Sequence, residues 1–379
     1  MPGVTAHATH LLPDLEDVAK RLEDNPSDVK SRAFPDSESG PRSRAIVGPR
    51  AGLPPISNDR LDAALSAERN RLLELGVAAL GVLRAEGPAA VLTAEAQLGI
   101  EAIVSIARPA LFLQDGTFGD PPPPWDHILG PHRSSIRTVA MSVGRIGVRG
   151  MPQLPYAGTG FLVAEDVVMT NCHVARVFSQ PESDGDWSLQ PGLEVHLDFE
   201  EDPDAPRPGP LREQVRIEGV IGIHPALDLA LLRVAPPDAG TRMAKPLTLM
   251  SQDPGPLEGR SVYLLGYPAP DYRNDTVVQR SIFGDRYFVK RLQPGAAMAP
   301  PHDAVIPMAP CSSGTEPDDV MFHDASTLGG NSGSCVVDLD TNQVIGLHFA
   351  GMYMQYNEAL ALWRLADDQL LTRAGVNFG

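Results

Sequence analysis

At 379 residues the chain is long enough for one large domain or two, and its 42% apolar content is ordinary for a folded globular protein. A formal net charge of −17, from 48 acidic against 31 basic side chains, disfavours nucleic acid as a partner, because neutralising phosphates takes clustered Lys and Arg. No run of about 18 apolar residues is present, and the start MPGVTAHATHLLPDLEDVAK has no basic flank before an apolar stretch, so neither a membrane span nor a secretory leader is expected.

Three cysteines, Cys172, Cys311 and Cys335, are too few and too odd in number for a disulfide framework, and no CxxC spacing suggests a metal. The expectation is a reducing, cytoplasmic location with no metal and no cofactor.

In chain order, residues 1–57 are rich in Pro, Ser, Asp and Arg and poor in apolar periodicity, which predicts a flexible tail with at most a short helix near 15–22. Residues 58–120 read as an accessory module. Leu61, Leu65, Leu72, Leu75, Ala79 and Leu83 recur at helical spacing, with Asn58 as N-cap and Gly87-Pro88 as stop. The runs 100–106 and 110–113, parted by Ala107-Arg108-Pro109, read as a pair of short strands, giving an α+β module. Four consecutive prolines, Pro121 to Pro124, open a stiff linker over 121–130.

From 131 to 379 the pattern is of short strands broken by turns, at 136–143, 158–163, 166–170, 193–199, 215–223, 229–234, 261–265, 276–283 and 287–291, with a hairpin over 334–339 and 343–350. Many strands without intervening long helices favour an all-β barrel or sandwich. Only 359–373 has helical periodicity.

The stretch STLGGNSGS, from Ser326 to Ser334, packs glycines around a serine, so the backbone can take positive φ and aim amides at one point. A serine hydroxyl is a weak nucleophile and needs a general base, which in turn needs an orienting group. His173, at the end of VMTNCHV, and Asp228, set directly before the apolar run of HPALDLALLRV, are the candidates. Taken singly, each has a structural alternative: a strand-end core histidine, a turn aspartate.

Together GTGFLV, VMTNCHV, HPALDLALLRV and STLGGNSGS followed by VIGLHFAG, in the order His, Asp, Ser, resemble the trypsin-like, chymotrypsin-fold serine peptidases, in particular the bacterial glutamyl endopeptidase-like branch. The resemblance covers about 136–365. It implies a mainly β fold, two six-stranded antiparallel barrels with a C-terminal helix, preceded by the accessory module. It further implies that Ser332 is the nucleophile, His173 the general base and Asp228 its orienting carboxylate, with the amides of Gly330 and Ser332 as oxyanion hole. Ser334 is the rival nucleophile; Ser332 is preferred because the amide of Gly330 lies two residues upstream of it. Asn331 stands where animal trypsins carry an aspartate that pairs with a freshly cut N-terminus, so that activation switch is missing. Thr327 and His348 fall where the glutamyl branch binds the substrate's carboxylate, which implies cleavage after Glu, with Asp second.

The expected partners are a protein or peptide substrate and a regulatory partner for the N-terminal module, with no nucleic acid and no membrane. The alternatives are a catalytically silent barrel used as a binding or scaffold module, and an esterase using the same residues.

Overall fold

The computed structural model describes residues 8–33, 58–154, 156–183, 185–202, 214–236, 244–271, 286–301, 311, 315–352 and 355–379. They fall into two units, one of residues 1–109, 120–130 and 271–286, the other of 110–119, 131–270 and 287–379.

The first unit is helical: α1 (Leu12–Asp24), α2 (Pro26–Ala33), α3 (Asn58–Glu86), α4 (Ala94–Ala107) and α5 (Trp125–Ile128). Leu15, Val18 and Leu22 form the buried stripe of α1, an i, i+3, i+7 face. The tail expected over 1–57 therefore holds two helices between residues 12 and 33, because that stripe has a surface to cover. Thr93 caps α4, its hydroxyl accepting from the amide of Ala96 at 3.2 Å. At Gly76 and Gly99 the helices α3 and α4 press backbone on backbone, and a Cβ on Gly76 would lie 2.3 Å from the carbonyl oxygen of Gly99. The indole N–H of Trp125 donates to the carbonyl of Ala107 at 2.7 Å, and buried Arg108 pairs with Asp14 at 2.9 Å.

Here the hairpin expected over 100–113 is corrected. Residues 100–106 are the interior of α4, buried on most sides, so an apolar run that could belong to a strand or a buried helix is helical. The stretch 121–130, expected as a linker, carries α5 within the helical unit.

The second unit begins with β1 (Leu111–Phe112) and α6 (Arg133–Ala140), the latter occupying most of the stretch expected as a strand at 136–143. Six strands follow as a closed antiparallel barrel: β2 (Val143–Arg149), β3 (Tyr156–Ala164), β4 (Val167–Thr170), β7 (Glu194–Asp198), β8 (Gln214–Ile223) and β9 (Ala230–Val234), in the order β2-β3-β4-β9-β8-β7. Between β4 and β7 lie the one-turn helix α7 (Cys172–Ala175) and a small ribbon of β5 (Ser179–Pro181) and β6 (Trp187–Leu189). Ile146, Leu162, Val168, Leu197, Ile217 and Leu232 fill this barrel. Alternate residues of each strand point inward, and closure leaves no free edge.

A second six-stranded barrel is built from β10 (Ser261–Gly266), β11 (Arg291–Met298), β12 (Val320–His323), β13 (Cys335–Asp338), β14 (Val344–Met352) and β15 (Tyr356–Ala361). The order is β11-β10-β13-β14-β15-β12, closed by pairing of β12 with the end of β11, and β1 pairs with the start of β11 on that same edge, away from β10. Val262, Leu264, Met321, Val336 and Ile345 are its core. The fold is thus mainly β, with two six-stranded antiparallel barrels, as the sequence implies. The helix expected over 359–373 is instead the end of β15, a 3-10 turn (Leu362–Leu365) and a short helix, α8 (Gln369–Arg373), capped by Asp368. The strand expected at 276–283 lies outside the described residues, and the one expected at 287–291 begins only at Arg291.

Candidate active site

Asp228 sits just ahead of β9 and is 1% exposed. A buried carboxylate costs several kcal/mol unless it is paired. Both oxygens here are: Oδ1 accepts from the amide of His173 at 2.9 Å, and Oδ2 meets Nδ1 of His173 at 2.6 Å. The loop that presents Asp228 is itself tied, because Nδ2 of Asn171 donates to its carbonyl at 3.0 Å. His224, given little weight in the sequence, organises the same loop: its Nδ1 accepts from the amides of Ala226 and Leu227, and its Nε2 faces Asp368 at 3.4 Å. His302, the other histidine set aside, lies outside the described residues.

His173 lies in α7, with 37% of its side chain exposed. With Nδ1 held by Asp228, the opposite nitrogen is the one left to face a substrate. The residue before it, Cys172, is bridged to Cys311 with Cα atoms 6.0 Å apart, inside the range a disulfide spans. Three cysteines, read as too few and too odd in number for a disulfide framework, thus supply one bridge, which removes the ground for a reducing compartment. Nothing in the spacing of two cysteines 139 residues apart could have paired them. Cys335, in the core of β13, is a buried free thiol whose pKa burial pushes up to about 12.

Ser332 is half-buried at the tip of the glycine-rich turn before β13. Its carbonyl accepts from the amide of Thr159 on β3 at 2.8 Å. A Cβ on Gly158 would touch both that carbonyl (3.0 Å) and the Val174 side chain (2.8 Å), so the serine turn and the helix of His173 flank one glycine. Among the described residues no hydrogen bond joins the Ser332 hydroxyl to His173 at rest, a looseness common before substrate binds. The turn needs its glycines at two places. Gly330 has φ +87° and Gly333 φ +86°, and a Cβ on Gly333 would fall 2.0 Å from the carbonyl of Thr159. Among the described residues, the amides of Gly330 and Ser332 donate to no backbone acceptor, while Gly333 donates to His348 at 3.0 Å and Ser334 to Asn331 at 2.9 Å. Ser334, the rival of Ser332, is by contrast fully buried.

His348, on β14, is 4% exposed and also reaches Ser334, its amide donating to that carbonyl at 2.9 Å. Burial, and then the neighbouring His323 and His173, hold its pKa well below the usual imidazole value. Its Nδ1 lies 3.4 Å from Nε2 of His323, whose pKa burial lowers to about 4. Both rings are therefore neutral at pH 7. The hydroxyl of Thr327 donates to Oδ1 of Asn357. That direction is forced, because Nδ2 of Asn357 donates to the carbonyls of His323 (3.3 Å) and Ala325 (2.7 Å), leaving only its oxygen toward Thr327. Asn357 was not singled out from the sequence.

Residues 158–347, from within β3 to the residue before His348, match the family described as trypsin-like peptidase domain. The chain belongs to the trypsin-like peptidase family. It is 29% identical over 296 residues, 72% of its own length and 73% of the other, to a chain named a probable serine protease in Lysobacter enzymogenes. Among solved structures it is similar to the Rv3671c protease of M. tuberculosis, at 20% identity and TM-score 0.39 over 64% of this chain and 90% of that one. It is also similar to a serine endoprotease from Yersinia pestis, at 16% identity and TM-score 0.39 over 65% and 68%. As a member of the trypsin-like peptidase family the chain is a serine endopeptidase. Among the described residues no helix is long and apolar enough to cross a membrane.

Proposed function

We propose that the peptidase works through His173, Asp228 and Ser332. The observation that carries this reading is the grip of the buried Asp228 on both the amide and Nδ1 of His173. A ring held this way keeps its proton on Nδ1, so Nε2 is free to take the Ser332 proton as the hydroxyl attacks the scissile carbonyl. The amides of Gly330 and Ser332 receive the negative charge of the tetrahedral intermediate, each worth roughly 2.7 to 4 kcal/mol in such sites. The protonated imidazole then gives its proton to the leaving amine, and water, activated the same way, releases the acyl group.

The same reading extends to specificity for Glu before the scissile bond, with Asp second. His348 supplies a neutral N–H donor, which suits a carboxylate without a fixed opposing charge. Thr327 contributes only if its hydroxyl turns away from Asn357, so His348 is the main donor. A peptide library in which Glu is ignored in favour of Lys, Arg or large apolar residues would refute the preference. The helical unit of residues 1–109 is the place for a regulatory partner in this reading. The cytoplasmic location rested on the cysteine count, and the Cys172–Cys311 bridge withdraws that support. The test of the whole is proteome-wide mapping of cleavage sites with the Ser332→Ala protein as control: cuts made by the wild type alone are expected, and identical profiles would leave the silent binding module as the better description.

A further inference from the structure

Trypsin-like enzymes whose serine follows an aspartate can hold their oxyanion turn through that charge. Here the position is Asn331, 0% exposed, and among the described residues neither its Nδ2 nor its Oδ1 has a hydrogen-bond partner. Something else must fix the turn, since two amides aimed at one point gain nothing if they are free to rotate.

A trans peptide points its carbonyl and the following N–H in opposite directions, so fixing the carbonyl aims the amide. The peptide that carries the Gly330 N–H is fixed in this way, because the carbonyl of Gly329 accepts from the amide of Ala269. The peptide that carries the Ser332 N–H is fixed by the bond from the Ser334 amide to the carbonyl of Asn331. Between these two peptides lies the carbonyl of Gly330, and it is held from the first barrel by two hydroxyls, Tyr156 Oη at 2.7 Å and Thr159 Oγ1 at 3.0 Å. Tyr156 also donates to the carbonyl of Tyr267, sharing its single proton between the two acceptors. Thr159 does more: its hydroxyl accepts from the amide of Tyr267 at 3.2 Å, and its own amide holds the carbonyl of Ser332 at 2.8 Å. The tyrosine and threonine of β3 thus tie the oxyanion turn to the segment of Tyr267 and Ala269, at the first of the two glycines whose positive φ the turn depends on.

We propose that Tyr156 and Thr159 are positioning residues that keep the Gly330 and Ser332 amides aimed at the substrate before it binds, in place of an ionic latch at Asn331. The inference rests on the triad reading above. Both residues are buried and neither touches the reacting atoms, so the effect falls on the charged intermediate rather than on the bound substrate. Removing a donor outright costs about 100- to 1,000-fold in kcat in such sites; loosening both is expected to cost about 10- to 100-fold.

The test measures kcat, KM and inhibition by a peptide aldehyde, which forms a tetrahedral adduct, beside a peptide product that does not, for wild type, Tyr156→Phe, Thr159→Val, Thr159→Ser and Ser332→Ala. Tyr156→Phe and Thr159→Val are expected to lower kcat with KM nearly unchanged and to weaken the aldehyde by a matching factor while leaving the product's affinity alone. Thr159→Ser, which restores the hydroxyl, is expected to recover most of the loss. Aldehyde and product weakened equally would mean a general structural defect and would overturn the inference, as would kcat in both variants equal to that of wild type. A wild type no more active than Ser332→Ala would sink the triad reading and this inference together.

Discussion

Changing Asp228 to Asn keeps the shape of the side chain and removes its charge. In the wild type the two carboxylate oxygens accept from the His173 amide and from Nδ1. An asparagine can still accept from the amide through its oxygen, but its NH2 then faces Nδ1, which must give up its proton to accept. The proton moves to Nε2, the nitrogen that has to receive the proton of Ser332, and the imidazole becomes the wrong tautomer for a base. The expected loss is about 10,000-fold in kcat, equivalent to about 5.5 kcal/mol at the transition state. KM is expected to change little, because Asp228 is 1% exposed and does not face the substrate. The assay is steady-state hydrolysis of a peptide amide at neutral pH, with the melting temperature of the variant checked against wild type. A variant that folds normally and keeps kcat within about tenfold of wild type would show that Asp228 does not set the tautomer of His173.

Cys311→Ser opens a loop spanning 139 residues and is expected to lower stability by about 2 to 5 kcal/mol, read by urea denaturation under non-reducing conditions. Gly333→Ala places a methyl 2.0 Å from the Thr159 carbonyl at φ +86°, and is expected to cost on the order of 3 kcal/mol or more with loss of activity; a variant as stable as wild type would refute the packing described for the turn. Glu358 is buried on β15, and burial raises its pKa from 4.5 to about 7. The folded state therefore holds this proton more tightly than the unfolded chain does, so the contribution is full below pH 4.5 and is lost as pH rises to 7. Stability of Glu358→Gln relative to wild type is expected to climb across that window by up to about 3 kcal/mol; a difference flat with pH would contradict the burial of the charge.

The barrels were legible because short apolar runs follow one another between turns: the run around Leu197 alternates as a half-buried strand does, while those around Phe161 and Leu264 are continuously buried. The helix α4 was misread since Ile100, Ile103, Val104 and Ile106 are buried together, and a segment apolar on most sides carries no period to tell helix from strand. At the C-terminus, Leu362 and Leu365 sit three apart, a spacing a helix could use, yet β12 and β14 pair with Tyr356–Ala361 on either side and hold that part extended, tertiary pairing overriding local preference. At the candidate site, His173, Asp228 and Ser332 stand in short local motifs, which is why the sequence alone can propose them. Tyr156, Thr159, Asn357 and His224 act by hydrogen bonds to loop backbone or to side chains that only the fold brings near, so composition and spacing were silent about them.

The central claim is tested most directly by reacting the full-length protein with a fluorophosphonate and locating the adduct by peptide mass spectrometry. The expected result is a single phosphonylated residue, Ser332, with labelling abolished in Ser332→Ala and strongly slowed in His173→Ala. An adduct on Ser334 or any other residue, or brisk labelling of Ser332 without His173, would contradict it.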